Sequence, residues 1–219
     1  MIFKPFTNKN MQKLRIVYLL LCALTLSFNA HATSGGEVAN ALALSKERVK
    51  EITLQIKQNP LDAQAYANRG VVKMEMNDAF GAIKDYTTSL RLEPQTAGVL
   101  QKRGQAFLQI GAYKEAAQDI TSAMALASTH ELLYDRAVLK YHLDDYFGAL
   151  QDLNEVLAVT PTHHKALYNR AIIALELNKA QEAVADLEAF LKLNPEDVHA
   201  KHSLALAQKE LSRRVASNQ

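Results

Sequence analysis

The side chains in this 219-residue sequence best suited to chemistry are its histidines, its evenly spaced arginines and aspartates, and its tyrosines. His163 and His164 are neighbours, and His199 and His202 stand at i, i+3, which places both on one face of a helix. Either pair could begin a metal site. A held metal needs three or four converging ligands with a supporting shell, and no further ligand falls into step with these pairs. Cys22 is the one cysteine, so no disulfide and no thiolate metal centre is expected. No Ser-His-Asp spacing, glycine-rich phosphate loop, HExxH or paired-carboxylate motif occurs. With only eight glycines, little chain is left over for a catalytic pocket. The reading is a non-enzyme with no cofactor and no resident metal.

The arginines and aspartates belong to a repeat. Arg69, Arg103, Arg136 and Arg170 are separated by 34, 33 and 34 residues, and each is followed by a small residue: Gly70, Gly104, Ala137 or Ala171. Ala82, Ala116, Ala149 and Ala183 keep the same step, as do Asp85, Asp119, Asp152 and Asp186. Proline closes the units at Pro60, Pro94, Pro161 and Pro195, with Ser128 in the vacant slot. A period of this length marks stacked supersecondary units. Within the unit Tyr66, Gly70, Val71 and Met74 share one side of a first helix, and Ala79, Ala82, Ile83, Tyr86 and Leu90 line a second. Asn77-Asp78 forms the turn between them. Pro94 stops the second helix. Arg69 and Asp85 each lie eight residues from Asn77, so they stand level on antiparallel helices and fit a bidentate pair. Fourfold repetition makes these pairs structural rather than a row of binding sites. Their partners could lie within one unit or between neighbours.

The pattern of an aromatic or Leu, then Gly/Ala, Ala, an aromatic or Leu, and Pro resembles the tetratricopeptide repeat, from about Pro60 to the C-terminus. The resemblance implies an all-α fold: an α-solenoid of helix–turn–helix hairpins with a capping helix at each end. Four repeats are expected over 60–197, near 63–96, 97–129, 130–163 and 164–197. A flexible start and capping helix cover 33–59, and a capping helix and tail cover 198–219. The second junction lacks one residue, and Ser128 with Glu131 reads as a capping box there.

The resemblance further implies that the first helices line a concave groove. Carried across, its candidate lining is Asn68, Val71 and Met74 in the first repeat and Gln101, Gln105 and Leu108 in the second. The third supplies Tyr134, Val138 and Tyr141, and the fourth Tyr168, Ile172 and Leu175. Family members that clamp a C-terminal carboxylate place Lys and Asn one turn apart in this groove. This chain has Ala67/Val71, Tyr134/Val138 and Tyr168/Ile172, so that activity is not expected. The tyrosines have two readings: anchors for a partner segment, or packing between adjacent first helices.

Residues 1–32 read as an export signal. Lys4, Lys9, Lys13 and Arg15 precede an apolar run over 16–28, and Ala30-His31-Ala32 is a small-x-small site, so cleavage is expected after Ala32. Thirteen apolar residues fall short of the roughly 20 that span a bilayer, so no stable membrane insertion is expected after cleavage. Either Met1 or Met11 could start translation. Leu21 before Cys22 is too large for a lipoprotein box. Removing the four basic residues takes the formal charge from +2 to −2, which is no nucleic-acid footprint. The absence of disulfides and Asn-x-Ser/Thr acceptors favours a bacterial periplasm. The expected function is protein–protein interaction, with a partner segment held in the groove of a cell-envelope scaffold or assembly factor. Two other readings are a periplasmic small-ligand or metal carrier, and a self-associating module.

Overall fold

A computed structural model describes residues 35–217, with side chains from 39 to 213. The signal, its cleavage after Ala32 and the choice between Met1 and Met11 lie outside the described residues. Those residues form ten α-helices and no strand: α1 Gly35–Gln58, α2 Ala63–Glu75, α3 Ala79–Leu92, α4 Ala97–Gln109, α5 Tyr113–Leu126, α6 His130–His142, α7 Tyr146–Val159, α8 His164–Glu176, α9 Ala180–Leu193 and α10 Val198–Ser217. None is long and apolar enough to cross a membrane.

The helices fall into two compact units, one ending at Leu126 and the other starting at Ala127. In the first, α1 packs on α2, α2 on α3, α3 on α4 and α4 on α5. In the second, the same chain of neighbours runs from α6 to α10. Each hairpin closes on a left-handed residue at one fixed point: Asn77, Gly111, Asp144 and Asn178, with φ of 64°, 74°, 62° and 59°. The next N–H reaches back five residues, as from Asp78 to the Lys73 carbonyl and from Asp145 to that of Lys140. This is the Schellman closure, for which Gly and Asn are suited because they tolerate positive φ. Asp78 and Asp145 then cap the second helices by accepting from the Gly81 and Gly148 N–H groups at 2.9 Å.

Between helices of a hairpin, the volume at one small column is matched by the residue facing it. A Cβ on Gly70 would stand 2.6 Å from the Tyr86 ring, and one on Gly104 would stand 3.1 Å from Ile120. The second unit carries Ala137 and Ala171 in those places, with Leu153 and Leu187 as the large counterparts. Ala82, Ala116, Ala149 and Ala183 are fully buried. At such contacts one extra methylene has nowhere to go.

One boundary differs from expectation. The helix after the short junction begins at His130, so its N-cap is Thr129, whose hydroxyl accepts from the Leu132 N–H at 3.2 Å. Ser128 lies one residue too early. Glu131 is then the second helical residue rather than the third, and the expected Ser128–Glu131 box does not form. α1 packs through its C-terminal half, where Ile56 is buried and Val49, Ile52 and Thr53 are half-buried. Leu42, Leu44 and Leu54 remain exposed.

Candidate functional site

The polar columns resolve into a framework. Each arginine holds its own hairpin's aspartate with two hydrogen bonds: Nε and Nη2 of Arg69 to Asp85 at 2.8 and 2.7 Å, and Arg103, Arg136 and Arg170 likewise to Asp119, Asp152 and Asp186. Three arginines extend Nη1 to the preceding helix, to Thr53 at 3.1 Å, Thr87 at 3.2 Å and Asn154 at 2.8 Å. Pairing is therefore within the hairpin, with a second bond to the preceding helix at those three. The Arg136 side chain is the most exposed of the four at 37%. Lys73 and Lys140 add ion pairs to Asp85 and Asp152 at 2.7 and 2.9 Å. Burial works against the Asp152 charge, yet the hydrogen bonds from Arg136 and Lys140 hold its pKa below the ordinary carboxylate value. The hydrogen bond to aspartate raises the pKa of Arg69, Arg136 and Arg170, against the opposing cost of burial.

On the first-helix faces the candidate lining is uneven. In the first unit Asn68 and Gln105 are exposed, while Val71, Met74, Gln101 and Leu108 are half-buried. This face is rich in amides: Gln64 donates to Asn68 at 2.8 Å, and Gln109 donates to Asn77 at 2.9 Å, tying the end of α4 to the first hairpin turn. In the second unit Tyr134, Val138 and Tyr168 are half-buried. Tyr141, Ile172 and Leu175 are buried, at 5%, 2% and 7% exposure, and act as packing residues rather than an open surface. Helical spacing could not separate them from Tyr134 and Val138, because a neighbouring helix decides which turns of a stripe stay open.

Tyr134 and Tyr168 share both roles. Tyr168 leans on Phe190 across its hairpin, with ring centroids 5.3 Å apart. Tyr134 accepts a hydrogen bond from Asn169 at 3.0 Å, joining α6 to α8, and its ring lies 5.1 Å from that of His163. His163 caps α8 rather than standing ready for a metal. Among the described residues no three His, Cys, Asp or Glu side chains converge as a metal would need.

The order of helices and the repeated columns define a class, an all-α fold of helix–turn–helix hairpins like that of tetratricopeptide repeats. A family model described as tetratricopeptide repeat matches residues 134–198 and 168–213, which lie in the second unit. Solved structures extend the likeness. MamA protein superposes with a TM-score of 0.59 at 21% identity, covering 70% of this chain and 85% of that one. YrrB, described as a TPR protein with an unusual peptide-binding site, has a TM-score of 0.59 at 20% identity and covers 74% and 84%. The first TPR of Spaghetti (RPAP3), bound to the HSP90 peptide SRMEEVD, has a TM-score of 0.51 at 28% identity and covers 54% and 97%.

Proposed function

We propose that this chain is a non-catalytic interaction module that holds a segment of a partner protein against its first-helix faces. It works as a scaffold or assembly factor of a bacterial cell envelope after export. The observation that carries the reading is that Tyr134, Val138 and Tyr168 on the first helices of the second unit are each half-buried, part of each side chain staying open. Such aromatics anchor partners when their exposed edge is covered. Two proteins of the same fold are described by their peptides, which supports a binding role. The carboxylate clamp is not part of the proposal, since Ala67, Val71, Val138 and Ile172 offer no charge or amide there. The signal-like residues 1–32 support the envelope setting.

Cross-linking capture from cell-envelope fractions tests the reading, comparing wild type with Tyr134→Ala and Tyr168→Ala. Loss of the same captured protein in both variants is the expected result. Unchanged capture with intact folding would remove the tyrosine patch as the binding surface. N-terminal sequencing of the envelope form should begin at Thr33, and an uncleaved product would overturn export by this signal.

A further inference from the structure

Helix α8 is capped by an imidazole. His163 has an extended backbone (φ −68°, ψ 90°), and its Nδ1 accepts the Ala166 N–H at 3.1 Å. The caps at Asp62, Asp78, Thr129 and Asp145 accept through oxygen. Those oxygens remain acceptors across the neutral range, whereas Nδ1 accepts only while it carries no proton. The same ring lies 5.1 Å from Tyr134 of α6 and stacks on His164 at 6.2 Å. One imidazole therefore fixes the start of α8 and touches the helix to which Asn169 ties α8.

A positive charge on this ring would meet no carboxylate from the first turn of its own helix. The rings of Tyr134 from α6 and His164 from its own helix lie against His163, and His164 in turn faces Lys165. The first turn of α8 has no acidic residue. A helix N-terminus is the positive end of the macrodipole and disfavours cations. Burial first, then Lys165 and His163, hold the pKa of His164 below the ordinary imidazole value. The stability that His164 itself contributes is whole above the ordinary imidazole value. That stability is lost as pH falls from there through the lowered value.

We propose that His163 is a proton-operated latch: protonation of Nδ1 uncaps α8 and loosens the α6–α8 contact at Tyr134, softening the second unit as the medium turns mildly acidic. The first unit has no histidine among its described residues and lacks the device.

The test uses the full chain, with thermal melts and NMR of the histidine and Tyr134 rings between roughly pH 7.5 and 5.5. His163→Asn keeps a capping acceptor that does not titrate, and His163→Ser is a second such cap. The other histidines stay in place, so the difference from wild type is the readout. Wild type should lose about 2–5 °C of melting temperature over this interval. Its Tyr134 signals should move over the same interval. Both capping variants should recover most of the loss and hold the Tyr134 signals still. An equal loss in His163→Asn and His163→Ser overturns the latch. So does a loss that vanishes only in His164→Asn, which would assign the effect to the neighbouring ring.

Discussion

Gly70 and Ala137 lie 67 residues apart, and the same step joins Tyr86 to Leu153, Arg69 to Arg136, Lys73 to Lys140, Asp78 to Asp145 and Phe80 to Phe147. The two units thus share one polar framework and one turn chemistry while filling them differently. The first sets glycine against Tyr86 and Ile120, and the second carries alanine and leucine in those places. Packing in each hairpin is satisfied by a sum of volumes rather than by either residue. The exposed faces differ more. On the candidate lining the first unit carries amides and the second tyrosines, and all six described histidines lie in the second. The frame is what both units need to fold, and the difference lies in what each can offer a partner or a proton.

The largest expected effect falls on the shared frame. Asp85→Ala and Asp152→Ala each leave an arginine and a lysine without their buried acceptor, and each should cost about 3–5 kcal/mol by denaturant unfolding. Asp119→Ala, which strands only Arg103, should cost less. Equal losses at all three would mean the lysines add nothing.

Next comes the volume exchange. Gly70→Ala should destabilise by about 1–3 kcal/mol because its Cβ meets the Tyr86 ring. Adding Tyr86→Leu, the combination native to the second unit, should restore part of that loss. Failure of the double variant to recover would break the equivalence of the units.

The faces can then be set against each other. Tyr134→Ala or Tyr168→Ala should weaken partner capture by about 1–2 kcal/mol or more. Gln105→Ala, on the exposed amide face, should change folding and capture by no more than about 0.5 kcal/mol. The reverse order would move the binding surface to the first unit.

The smallest effect is an acid limb. The lowered pKa of Asp152 gives stability that is present above the ordinary carboxylate value and lost as pH falls through the folded value. Wild type should therefore weaken in strong acid, and Asp152→Asn should show a shallower fall there in a pH series of melts. An identical slope would dissociate Asp152 from acid sensitivity.

Much of this was legible in the chain. Ten helices, their turns and the level placement of Arg69 and Asp85 follow from a period of 33–34 residues, because a repeated local pattern carries its own helix spacing and stop signals. The open surface was less legible. Tyr141 and Tyr134 sit two turns apart on one helix, yet only Tyr134 keeps an open edge. His163 looked like half of a metal pair, and no sequence rule marked it as a cap. Its carbon framework holds no oxygen, and the cap is recognised only once Nδ1 is seen on the Ala166 N–H.

The sequence by itself determined the fold class, the hairpin count and the level placement of the arginine and aspartate columns, since each depends on residues within about one repeat of one another. Only the tertiary structure decided which apolar turns are covered, that three arginines bridge to a preceding helix, that Thr129 rather than Ser128 caps α6, and that an imidazole starts α8. Those outcomes depend on which side chains a neighbouring helix brings within hydrogen-bond or van der Waals reach. Periodicity along one helix does not encode that distance.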